Sequence, residues 1–101
     1  MSEWTSVGSA EGRPGLDGVV IGEREIALAR LPDGDWVAFD DTCTHEDCSL
    51  AEGELARTVV TCPCHFAEFD IRTGAVLAPP ATVPLKVYPV RVQGNDLQVE
   101  F

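Results

Sequence analysis

The chain has 101 residues, 17 acidic against 7 basic, and a formal charge of −10 at pH 7. That length accommodates one domain with a modest core, which a staple or a bound metal would help to hold, and leaves no room for a second catalytic domain. The acidity argues against nucleic acid or an anionic membrane surface as partner and points to basic ones; no run approaches the 18 or so apolar residues of a membrane span, and the acidic start Met1-Ser2-Glu3-Trp4 lacks signal-peptide character, so the chain reads as cytoplasmic.

Strand signals dominate in chain order. Val19-Val20-Ile21 and Glu25 to Arg30 are short runs separated by Gly22, and Leu31-Pro32-Asp33-Gly34-Asp35 is a hairpin turn into Trp36-Val37-Ala38-Phe39. Leu50 to Leu55 reads as a connection, and Thr58 to Thr61 as a strand carrying two valines. Pro84 to Val92 is apolar and β-branched, and Gln93-Gly94-Asn95-Asp96 turns it back into Leu97 to Phe101. No window carries a 3.6-residue period with caps, while seven prolines and nine glycines punctuate the short runs. The pattern predicts an all-β antiparallel sandwich or small barrel, one domain over 1–101, with no repeat, low-complexity tract or linker. Trp4, Trp36, Phe39, Tyr88 and Phe101 lie on strand-like runs and read as core or edge packing.

Cys43-Thr44-His45 is followed, after sixteen residues, by Cys62-Pro63-Cys64-His65. Both boxes fall in loops, each after a predicted strand. Thiolate plus imidazole donors suit zinc or iron-sulfur chemistry. Zinc is the less favoured alternative, because zinc fingers place both thiols in one box, whereas here each box mixes one thiol with one imidazole. Two histidines replacing two cysteines on one iron is the ligand set of a Rieske 2Fe-2S centre. At these residues the chain resembles the Rieske family. The pattern C-x-H-x16-C-x-x-H matches at all four positions, and Leu50, Glu52-Gly53, the stretch Phe69-Asp70 to Thr73-Gly74 and Pro79-Pro80 extend the likeness over roughly residues 36–101.

The resemblance implies a β base domain and a small cluster-binding subdomain of two loops, about 41–54 and 61–70, covered by a third loop at about 78–82, where Ala78-Pro79-Pro80-Ala81 sits. It implies one 2Fe-2S cluster, with Cys43 and Cys62 on one iron and His45 and His65 on the other. Two neutral imidazoles in place of thiolates raise the potential to about −150 to +300 mV, from about −400 mV for an all-cysteine plant-type cluster. Assembling both boxes on one cluster brings Cys48 and Cys64 together. Such a pair resembles the respiratory and photosynthetic branch, where a disulfide clamps the loops; small soluble ferredoxins usually lack it, and a reducing cytoplasm favours two thiols. The Cys48–Cys64 disulfide is the expectation, with two free thiols as the alternative. The respiratory branch also carries a serine two positions after the second histidine and a tyrosine four after it, where this chain has Ala67 and Phe69. Losing those donors to sulfur lowers the potential. Phe66 stands where the family normally has glycine, so the loop either takes another path or holds a strained positive φ.

His45 and His65 are the only histidines, and with both on iron there are few candidates for acid-base catalysis; nor is there a nucleophile with a base or a phosphate-binding glycine fingerprint. The expectation is an electron carrier and not an enzyme. The resemblance implies a Rieske-type ferredoxin passing electrons from an NAD(P)H-dependent flavoprotein reductase to the terminal oxygenase of an aromatic ring-hydroxylating dioxygenase system. Residues 40–70 hold eight acids (Asp40, Asp41, Glu46, Asp47, Glu52, Glu54, Glu68, Asp70) against Arg57, so −7 of the −10 lies there. This favours steering of a basic partner over an ordinary solvated face. The alternatives are a Rieske-like small subunit of an assimilatory nitrite reductase, and a piece of a high-potential respiratory or arsenite-oxidising complex. Ala67, Phe69 and the missing anchor or export signal speak against the latter.

Overall fold

Four consecutive apolar residues, Ile26-Ala27-Leu28-Ala29, set the layering. Successive side chains of a strand point to opposite faces, so a strand apolar throughout needs cover on both sides. All four are fully buried. The computed structural model describes residues 3–44, 48–64, 66–79 and 81–100. Among them run the strands β1 (Trp4–Ser9), β2 (Leu16–Ile21), β3 (Arg24–Arg30), β4 (Trp36–Asp40), β5 (Glu54–Ala56), β6 (Val59–Thr61), β7 (Glu68–Asp70), β8 (Val76–Ala78), β9 (Val87–Tyr88), β10 (Val90–Gln93) and β11 (Asp96–Glu100), with a 3₁₀ turn at Leu50–Glu52 and no α-helix. The strands form three antiparallel sheets, ordered β1-β11-β10, β2-β3-β4-β9 and β5-β6-β7-β8.

The sheet holding β3 is the middle layer. On one face Ile26, Leu28, Ala38 and Tyr88 pack with Leu97 and Val99 of β11. On the other, Ala27, Ala29 and Phe39 share a core with Leu50, Val60, Phe69, Ile71 and Leu85, and with Cys43, Cys62 and Ala67. Each fully buried Leu, Ile, Val or Phe stabilises by about 1.5–3 kcal/mol relative to exposure. The cysteine-bearing loops are therefore anchored by the same packing that holds the third sheet to the middle one.

The all-β antiparallel architecture is as expected, and the Leu31 to Asp35 turn closes through Leu31 N–H donating to the Asp35 carbonyl at 2.8 Å. Other parts differ. The Leu50 to Leu55 connection contains the 3₁₀ turn and the start of β5. The apolar stretch from Pro84 divides at Pro89 into β9, which joins the middle sheet, and β10, which joins the β1-β11 sheet; proline cannot donate to a ladder, so the chain changes sheets there. β5, β7 and β8 have three residues each, too few to display a period of two. β1 carries a register shift between Ser6 and Gly8, which breaks its alternation. Phe39 and Tyr88 are buried and Trp4 and Trp36 half-buried; Phe101 lies outside the described residues.

Candidate metal centre

The first loop leaves β4 at Asp40 and is closed by Asp41. That carboxylate is 8% exposed; its Oδ2 accepts from the Ser49 hydroxyl at 2.7 Å and its Oδ1 from the Ala51 N–H at 2.8 Å. Its backbone accepts from Leu50 N–H at 2.7 Å and donates to the Glu25 carbonyl at 3.0 Å. Thr42 bridges Ser49, and Cys43 N–H donates to the Cys48 carbonyl at 2.9 Å. These bonds place Cys43 and Cys48 side by side at the neck of the loop. In the sequence Asp41 is one of eight acids in residues 40–70, and a partner eight residues away forms no local pattern that shows its role.

The second loop runs from β6 to β7. Cys62 N–H donates to the Ala67 carbonyl at 2.8 Å, and Phe66 N–H to the Cys62 carbonyl at 3.1 Å. Phe66 sits at φ +63°, so of the two alternatives the loop takes the strained one; left-handed backbone costs a non-glycine residue roughly 1–2 kcal/mol. Its ring is 71% exposed, at the edge of a cleft of about 240 Å³ lined also by Glu52, Gly53, Glu54, Thr61, Cys62 and Pro63. Ala67 and Phe69, the positions without hydroxyls, are fully buried.

The third loop is tied on at two points. Thr44 Oγ1 donates to the Val83 carbonyl at 2.7 Å. Gly74, at φ +84°, lies so close to the Leu85 backbone that a Cβ would overlap its carbonyl, and Leu85 N–H donates to the Gly74 carbonyl at 2.8 Å. Ala81 and Leu85 join the core that holds Cys43 and Cys62. Pro80 of the expected covering segment lies outside the described residues.

Cys48 and Cys64 form a disulfide across the first two loops, with Cα atoms 6.4 Å apart. The bonded alternative is thus the one observed. The Cys48, Cys62 and Cys64 sulfurs all lie within 4.8 Å of one another; two are consumed by the disulfide, so within that trio only Cys62 offers a thiol. Cys43 and Cys62, both outside the disulfide, are 3% and 0% exposed. His45 and His65, with Glu46 and Asp47, lie outside the described residues. Of the remaining acids, Asp40 accepts from the Tyr88 hydroxyl at 2.6 Å and Asp70 from the Arg72 N–H at 2.9 Å, whereas Glu52 and Glu54 are exposed. A thiolate-bound cluster fits what is present: two buried thiols, one from each of two loops that are stapled together.

Three antiparallel β-layers carrying two stapled cysteine loops, with a third loop laid against them, define an iron-sulfur protein of β architecture. The chain belongs to the Rieske [2Fe-2S] domain family, which it matches over residues 3–89, and the cofactor of that domain is a 2Fe-2S cluster. It is 49% identical over 79 residues, 77% of this chain and 72% of the relative, to the biphenyl dioxygenase ferredoxin subunit of Pseudomonas sp. (strain KKS102). It is 46% identical over 76 residues, 74% of this chain and 71% of the relative, to the 3-phenylpropionate/cinnamic acid dioxygenase ferredoxin subunit of Photorhabdus laumondii. A chain of the solved complex of reduced oxygenase and oxidized ferredoxin in carbazole 1,9a-dioxygenase superimposes with a TM-score of 0.86 at 37% identity, covering 94% of this chain and 99% of that one. Those relatives are ferredoxin subunits, electron-transfer components and not catalytic enzymes. No helix among the described residues is long and apolar enough to cross a membrane.

Proposed function

We propose that this chain is the ferredoxin of an aromatic ring-hydroxylating dioxygenase system, taking single electrons from an NAD(P)H-dependent flavoprotein reductase and delivering them to the terminal oxygenase. The observation that carries this reading is the 49% identity, over 77% of the chain, to a dioxygenase ferredoxin subunit. In this reading the ligands are Cys43 and Cys62 on one iron and His45 and His65 on the other. Bound there, the cluster supplies a one-electron couple. The chain's own residues bury both thiols beside Leu50, Phe69 and Ala67, keep water from them, and hold the two loops at fixed separation through the Cys48–Cys64 bond. With no hydroxyl at Ala67 or Phe69 to donate to sulfur, the potential lies toward the lower end of the family's range of about −150 to +300 mV. The protein works as one domain over 1–101 in the cytoplasm, and its acids meet both partners transiently.

Purified protein should be brown, hold two irons and two acid-labile sulfides per chain, and give the low average g-value of a mixed Cys/His cluster when reduced. His45→Ala or His65→Ala should abolish that spectrum. A colourless protein with a single zinc sinks the reading, as does a midpoint near +300 mV. Raising salt from about 0.1 to about 1 M shortens the screening length from about 10 to about 3 Å and should slow electron delivery through the association rate. A permanent, salt-independent complex with one enzyme would instead indicate a nitrite-reductase-type subunit.

A further inference from the structure

We propose that Phe66, with Glu52 and Glu54, is the contact through which this chain receives a basic redox protein: the ring fills an apolar hollow in the partner and the two carboxylates meet its cationic rim. The proposal deepens the ferredoxin reading and rests on it for the electron. A phenyl ring 71% exposed contributes little to any core, yet the backbone holds it out at φ +63°. Strained residues of this kind concentrate at sites of contact and function. The ring borders the cleft whose lining includes Cys62, Pro63, Glu52 and Glu54. A partner seated there lies against the segment that carries Cys62, a cluster ligand in the proposed reading, which suits electron transfer. An aromatic anchor within a charged rim is the usual composition of a small interface, and the −10 charge of the chain selects a basic one. Val83, 55% exposed on the loop tied to Thr44, adds apolar surface on the side of the first loop.

The test uses reduced holoprotein and two oxidants that each take one electron from the cluster. Cytochrome c is a basic protein that must dock, its haem iron passing from ferric to ferrous; ferricyanide is a small anion that need not. Phe66→Gly, whose backbone accepts positive φ, should lower the second-order rate constant toward cytochrome c about tenfold, while Phe66→Leu keeps most of it. Glu52→Gln with Glu54→Gln should flatten the salt dependence. The ferricyanide rate should stay unchanged in the Phe66 variants and should not fall in the Glu52, Glu54 pair, where less repulsion of the anion raises it, and the reduced spectrum should stay unchanged in all variants. An unchanged cytochrome c rate in Phe66→Gly, an equal fall toward ferricyanide, or a wild-type rate indifferent to salt overturns the proposal. Failure of the ferredoxin reading is distinguishable, because wild-type protein would then lack the cluster spectrum altogether.

Discussion

Gly53 lies directly against the carbonyl of Thr61, the residue before Cys62. A Cβ on Gly53 would overlap that oxygen. The backbone at Gly53, φ −84° and ψ −153°, is open to any residue, so the requirement is for space and not for conformation. This close approach lets β5 pair with β6, Glu54 opposite Thr61, and so fixes where the second loop begins. Gly53→Ala should therefore destabilise the protein by about 1–3 kcal/mol, the usual cost of overpacking, and lower the iron content per chain; urea denaturation and iron analysis check both.

Asp41 should behave as a structural acid. Its two carboxylate bonds, to Ser49 and Ala51, close the first loop. Asp41→Ala leaves Ala51 N–H without that acceptor and should cost about 1.5–3 kcal/mol, whereas Ser49→Ala, losing a single bond, should cost about 1 kcal/mol. Thermal melting of the two variants against wild type gives the comparison.

The disulfide joins residues 16 apart in sequence, and closing a loop of that size stabilises by about 3 kcal/mol in the chain-entropy account. The Cys48→Ser, Cys64→Ser protein should still assemble its cluster but surrender iron to a chelator faster, with stability changing more than potential. In native oxidised wild type, thiol labelling should modify neither Cys48 nor Cys64.

Alkaline stability should report on Tyr88. Burial, then the hydrogen bond from its hydroxyl to Asp40 and the charge of that carboxylate, raise its pKa above 10.0, with Arg24 opposing. Above the ordinary value the unfolded chain loses the phenolic proton first, so native protein binds more protons than unfolded. The contribution is complete below about pH 10 and is lost as pH rises through the folded value. Tyr88→Phe should flatten this part of the profile, read from denaturation curves between about pH 9 and 11.

The strands with length and contrast were legible in advance. β3 and β4 around the Leu31 to Asp35 turn, and β10 and β11 around Gly94, combine apolar runs with glycine turns, and Gly94 does adopt φ +63°. β5, β7 and β8 were not, since three residues of mixed polarity become a strand only when a neighbouring strand supplies the ladder. At the site, the spacing of Cys43 and Cys62 already placed one thiol in each of two loops, and both are buried there.

Sequence by itself determined two boxes that each pair one cysteine with one histidine, because spacing within a box is a local property of the chain, and it determined the net charge of −10. Only the tertiary structure decided three further matters. Cys48 and Cys64 are bonded because folding brings two loops separated by β5 and β6 together. Asp41 is an internal clasp because its chain returns beside it at Ser49 and Ala51. Phe66 holds a left-handed backbone because its N–H is drawn back to the Cys62 carbonyl. The disulfide and the Asp41 clasp depend on groups apart in sequence that packing brings together, which no local pattern encodes, whereas the Phe66 turn closes over four residues and its conformation was one of two that the sequence left open.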